Sequence, residues 1–176
     1  MKSKLIALSI MIVSGSTLSV ANAADGTINF TGNIIDPACT VNPASASQTI
    51  ALGTVSSNAL ATSGATAAPT AFSIALTDCA VAGNVSVKFD GTHNTSNPDL
   101  LAITSGAGVA TNVGIALYEQ DGTTQIPLNT ASAAKPIVGS SPTGTATLNY
   151  IAKYMATGQS TAGIADGVTQ FSVIYN

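Results

Sequence analysis

Apolar residues in this chain recur at every second position, in runs that suit strands rather than helices. Ile28, Phe30 and Ile34 alternate with Asn29, Thr31 and Asn33, and Ile50 and Leu52 stand between polar or small neighbours. Phe72, Ile74 and Leu76 repeat the pattern, as do Val85, Val87 and Phe89, and Val113, Ile115 and Leu117. It returns at Leu148, Tyr150 and Tyr154, and at Phe171, Val173 and Tyr175. A period of two places successive side chains on opposite faces of a pleated strand, whereas a helix needs a period of about 3.6. Asp90-Gly91, Asp121-Gly122, Ser141-Pro142 and Asp166-Gly167 stand between the runs as turn or loop signals. The Ala-rich stretch from Ser57 to Ala68 holds Gly64 and several threonines, so a loop with one turn is expected there. Short alternating strands separated by turns predict an all-β sandwich of immunoglobulin-like type.

The first residues follow a different logic. Lys2 and Lys4 precede an apolar run from Leu5 to Val13, and Ala21-Asn22-Ala23 closes a stretch of small and polar residues. That is the layout of a secretory signal peptide cleaved after an A-x-A site, which assigns residues 1–23 to export. A membrane span needs about 20 predominantly apolar residues. Ser14, Ser16, Thr17 and Ser19 interrupt this one.

Cleavage leaves Lys88, Lys135 and Lys153 as the only basic residues besides His93, against all eight acidic ones. Without a basic patch, nucleic-acid binding has no electrostatic footing. Charged residues are 7% of the chain, well below the roughly 25% of ordinary globular proteins. A neutral, Ala- and Thr-rich surface carries little repulsion between copies and suits a protein that assembles. The two cysteines, Cys39 and Cys79, form an even pair in an exported chain and read as a disulfide. Closing a loop of about 41 residues stabilises by roughly 4 kcal/mol through the unfolded state. A metal site would lack further ligands, with one histidine and no C-x-x-C.

Catalysis finds little support. His93 lies in the polar loop Gly91-Thr92-His93-Asn94-Thr95, where a histidine is expected to be solvated. The acids are dispersed, and no nucleophile elbow, zinc-protease, P-loop or dinucleotide motif is present. Asp121-Gly122 lacks the regular ligand ladder of a calcium loop. No cofactor is expected.

The two ends are more specific. The inward set of the first mature strand would be Gly26, Ile28, Phe30, Gly32 and Ile34. Glycine at two of these positions weakens intrinsic strand propensity but permits close approach of another backbone. Pro37 then marks a break before Cys39. At the other end, Thr169 to Asn176 alternates to the last residue, leaving an expected strand edge with no following chain to cover it. Uncovered edges invite another strand, and a strand supplied by another chain answers that need.

Together these features resemble the chaperone–usher pilins, specifically the type 1 fimbrial subunits. The mature start resembles the family's donor extension. Asp36-Pro37-Ala38-Cys39-Thr40-Val41 and Leu76-Thr77-Asp78-Cys79 match its disulfide region, and Thr111 to Leu117 matches its central strand motif. Tyr154-Met155-Ala156-Thr157-Gly158, Gly163 fourteenth from the C-terminus and the penultimate Tyr175 complete the set. The resemblance implies an incomplete immunoglobulin-like domain over residues 36–176, with six strands and the seventh supplied in trans. Residues 24–35 would be the donor strand. Gly163, Phe171, Val173, Tyr175 and Asn176 would form the acceptor groove and the surface held by a periplasmic chaperone. It further implies handover at an outer-membrane usher, polymerisation by donor-strand exchange with identical or related subunits, and a cell-surface fimbria that supports adhesion. A major subunit is favoured. The alternative is a minor, adaptor or adhesin-like subunit that binds a ligand directly.

Overall fold

Two antiparallel sheets carry the alternating segments. The computed structural model describes residues 26, 28–32, 39–79, 83–140 and 143–175. The chain divides into two units, Met1–Ile34 and Ile35–Asn176, and both sheets belong to the second. The expected signal peptide lies outside the described residues, as do Ile34, Ser141-Pro142 and Asn176.

The larger sheet is built on β2 (Thr66–Cys79), β8 (Gly144–Ala156) and β5 (Val113–Glu119). Short β1 (Thr40–Val41) flanks β2, while β4 (Leu101–Ala102) and β6 (Gln125–Ile126) flank β5. The smaller sheet runs β7–β3–β9, from Lys135–Pro136 through Asn84–Gly91 to Thr169–Tyr175. Inward residues of both sheets fill one core, with Ile74, Leu148, Val85 and Val87 fully buried. Phe72 and Phe89, from opposite sheets, meet edge to face at 6.0 Å, and Phe89 meets Tyr150 at 5.1 Å. The expected all-β immunoglobulin-like sandwich is the observed one. Cys39 and Cys79 are disulfide-bonded, which ties the residue before β1 to the end of β2.

The expected loop at Ser57 to Ala68 contains one 3-10 turn, Ser57–Leu60, before β2 begins at Thr66. Two local expectations fail. Ile50 and Leu52 lie in no strand: among the described residues the chain from 48 to 56 has no ladder partner, and Leu52 and Val55 reach the core from irregular backbone. Gly53 at φ +71° turns the chain between them. Asp90-Gly91 is not a turn either, because β3 runs through it and pairs with Gln170 and Thr169. Gly91 sits close under Leu101, whose Cδ1 would lie 2.6 Å from a Cβ at 91, so a larger residue there would make the Leu101 side chain move.

Candidate functional site

β3 and β9 share one face but not one environment. Val85 stands opposite Tyr175, Val87 opposite Val173, and Phe89 opposite Phe171. The three β3 side chains are buried to within 2%. Their β9 partners pack on the same core yet are only half-buried. The reason is the position of β9 in the sheet: β3 lies on one side, and among the described residues no strand lies on the other. Backbone groups along that free side lack a ladder, and the inward side chains lack a neighbour to cover them.

The end of β9 is pinned. The Cys39 amide donates to the Tyr175 hydroxyl at 3.2 Å, and that hydroxyl reaches back to the Cys39 carbonyl at 3.5 Å. The disulfide half-cystine and the last described residue of the edge strand therefore hold each other in place. At the other end, the segment leading into β9 borders a cavity of about 330 Å³. Val55, Leu60, Ala110, Val113, Tyr154 and Gly163 are among its lining. Burial, and then the charge of Asp166, raise the Tyr154 pKa.

Gly163 borders the cavity, and its lack of a side chain has a local cause. A Cβ at 163 would collide with the backbone of Val109 and Ala110. That close approach lets the Ala110 amide donate to the Ile164 carbonyl and the Ile164 amide donate to the Gly108 carbonyl, each at 2.9 Å. Thr111 reinforces the crossing, its amide donating to Thr161 Oγ1 at 3.0 Å. Gly163 thus shapes the wall of the cavity by allowing two backbones to touch.

Phe171, Val173 and Tyr175 line the half-buried side of the edge strand together. In the separate N-terminal unit, Gly26, Ile28, Phe30 and Gly32 lie outside any strand. Ile28 is 80% and Phe30 91% exposed, and a Cβ on either glycine would meet nothing within 4 Å. Ile34 and Asn176, expected at the donor strand and at the groove, lie outside the described residues.

His93 is less free than its loop suggested. Its Nδ1–H donates to the Pro98 carbonyl, and Asn129 Nδ2 donates to its Nε2 at 2.6 Å, so the ring ties two loops together. Asp121 likewise serves its own turn, accepting from the amides of Thr123 and Thr124 and from Thr124 Oγ1. Those three donors hold its carboxyl well below the usual range, with the Thr124 hydroxyl foremost. Sequence reasoning missed the segment Asn42–Gln48, which closes the far edge of the larger sheet; the dipeptide Asn42-Pro43, a helix-cap signal, is the one clue it offered.

The family model for fimbrial proteins matches residues 28–176. The S-fimbrial protein subunit SfaA of Escherichia coli is 40% identical, covering 98% of this chain and 99% of its own. A major fimbrial subunit of Stenotrophomonas maltophilia is 39% identical over 89% of this chain and 95% of its own. Among solved structures, an antigen and type I fimbria protein of Burkholderia pseudomallei aligns with a TM-score of 0.60 at 36% identity. That alignment covers 85% of this chain and 97% of the other.

Proposed function

The chain belongs to the fimbrial protein family and is a structural, non-catalytic subunit of a cell-surface fimbria; from that premise we propose that β9 accepts a strand from another subunit. The carrying observation is the drop in burial from β3 to β9 along one continuous apolar face, where the outer strand has no further neighbour among the described residues. The donor is residues 24–35 of an identical or related copy, whose Ile28 and Phe30 are exposed and alternate at the spacing a groove requires. Twelve residues extend about 40 Å, enough to run the length of β9 and reach the cavity beside Gly163.

Before assembly the same groove receives a strand from a periplasmic chaperone, because an uncovered edge beside an apolar core is an aggregation hazard. Residues 1–23 direct export into that compartment, and exchange of the chaperone strand for the donor takes place at an outer-membrane usher. The likeness to a major fimbrial subunit supports a place in the shaft of the filament.

Deleting residues 24–35 while keeping the export signal tests the reading. Filaments are expected to vanish from the cell surface by electron microscopy, while the folded subunit still accumulates with its disulfide formed. Undiminished filaments would overturn the proposal.

A further inference from the structure

An open strand edge is useful only if the other edges are shut, and the far edge of the larger sheet is shut by unusual means. β1 pairs with β2 only at Thr77 and Leu76. Beyond that point the edge of β2 would lie bare for most of its length. Its protection begins at Asn42, whose amide donates to the Ala75 carbonyl at 2.9 Å. Pro43 has no N–H to continue a ladder, so the chain turns into a single helical turn, α1 (Pro43–Ala46), with Asn42 Oδ1 accepting from the Ala44 amide at 2.9 Å.

That turn swings two side chains onto β2. Ser45 Oγ, in a residue only 7% exposed, accepts from the Ala75 amide at 3.0 Å. Gln48 Nε2 donates to the Ser73 carbonyl at 3.2 Å. Two side chains therefore take the hydrogen bonds a neighbouring strand would make. Higher up, Ala68 at φ +54° and a register shift between Ala67 and Thr70 kink β2, and Pro69 removes a donor. In the smaller sheet the outer strand β7 is the dipeptide Lys135–Pro136, a charge followed by a residue with no N–H. β9 has neither charge nor proline in Thr-Gln-Phe-Ser-Val-Ile-Tyr.

We propose that Ser45 and Gln48 are specificity-determining residues for strand addition: by occupying the edge of β2 at Ser73 and Ala75, they direct the donor strand of a second copy to β9. This rests on β9 being the acceptor. The caps act by subtraction, removing the β2 edge as a competitor for the strand that β9 takes.

The test uses the full chain and a synthetic peptide of residues 24–35, with stoichiometry from native mass spectrometry and position from amide hydrogen exchange. The unaltered chain is expected to take one peptide, with new protection over 169–175 and none over 70–75. The Ser45→Ala, Gln48→Ala double variant is expected to take a second peptide, with new protection at Ala71, Ser73 and Ala75. Gln48→Ala alone, at an exposed side chain, leaves folding intact and is expected to give partial second occupancy. Ser45→Thr, which keeps the hydroxyl, should retain single occupancy. Variants that still take one peptide, with protection confined to 169–175, would overturn the steering role and leave the acceptor reading standing. No protection at 169–175 in the unaltered chain would overturn both.

Discussion

β5 and β9 are each seven residues long and each alternates apolar positions, yet they end in opposite circumstances. Every residue of β5 is buried: β8 lies on one side, β4 and β6 lie on the other, and Leu100 packs against Ala116 and Tyr118 on its outer face. No residue of β9 is fully buried, although Phe171, Val173 and Tyr175 match Ile115 and Leu117 in apolar character. The difference teaches that strand pattern specifies which face turns inward, while the number of neighbours decides how far the burial is completed. β5 is enclosed on both sides, whereas β9 has a strand on one side only among the described residues.

The sharpest way to break this contrast is to finish β9. A second copy of residues 24–35 joined after Asn176 through a flexible Gly/Ser linker would bury Ile28, Phe30 and Ile34 at about 1.5–3 kcal/mol each. The sum, about 5–9 kcal/mol, is partly offset by ordering the strand. Guanidinium unfolding should show a large rise in midpoint. An unchanged midpoint would mean that β9 needs no partner.

The next largest effect belongs to β5. Leu117→Ala should cost about 2–5 kcal/mol in urea denaturation of the disulfide-intact chain, because Leu117 is 5% exposed in a packed core. Val173→Ala in β9 should cost less than about 1 kcal/mol in the same chain, since a half-buried valine loses only part of its transfer energy. In the chain with the extra strand the Val173→Ala cost should roughly double. Equal costs in the open and filled forms would erase the distinction between the strands.

The last effect is one of pH, confined to a strongly alkaline window. Tyr150, beside Glu119 of β5 in the ladder, is 1% exposed, and burial pushes its pKa up to about 12. The Ser132 hydroxyl, 2.8 Å from the phenol, lowers it and the Glu119 charge raises it. A phenol whose folded pKa exceeds its unfolded value stabilises fully below the unfolded value, near 10, and loses that contribution as pH rises toward about 12. Thermal midpoints should therefore fall across that alkaline window. Tyr150→Phe should flatten the fall.

Much of this was legible in the chain. The alternation at Val85–Phe89, Val113–Leu117 and Phe171–Tyr175 predicted strands that the structure contains, and the cysteine pair is joined. Nothing in the alternation distinguished β5 from β9, because neighbours are assigned by pairing across long sequence separations. Ile50 and Leu52 carried the same period without a ladder, since apolar anchors on irregular backbone look identical in sequence. Gly91 looked like a turn because glycine marks turns and crowded strand positions alike, and here it lies in a strand beneath Leu101. The caps at Ser45 and Gln48 act on residues 25 and 30 positions away, and no local signal announces such a partner.

The bond between Cys39 and Cys79 has a mechanical side. Any pull on the chain ahead of residue 39 enters the folded body at Cys39, where the non-covalent resistance is the two-residue ladder of β1 and the contact with the Tyr175 hydroxyl. Covalent linkage to Cys79 carries that tension past the weak ladder into β2, whose pairing with β8 is the longest among the described residues. Without that bond, the same tension would fall on β1 and the Tyr175 contact alone. With them joined, the tether is fastened to the spine of the larger sheet.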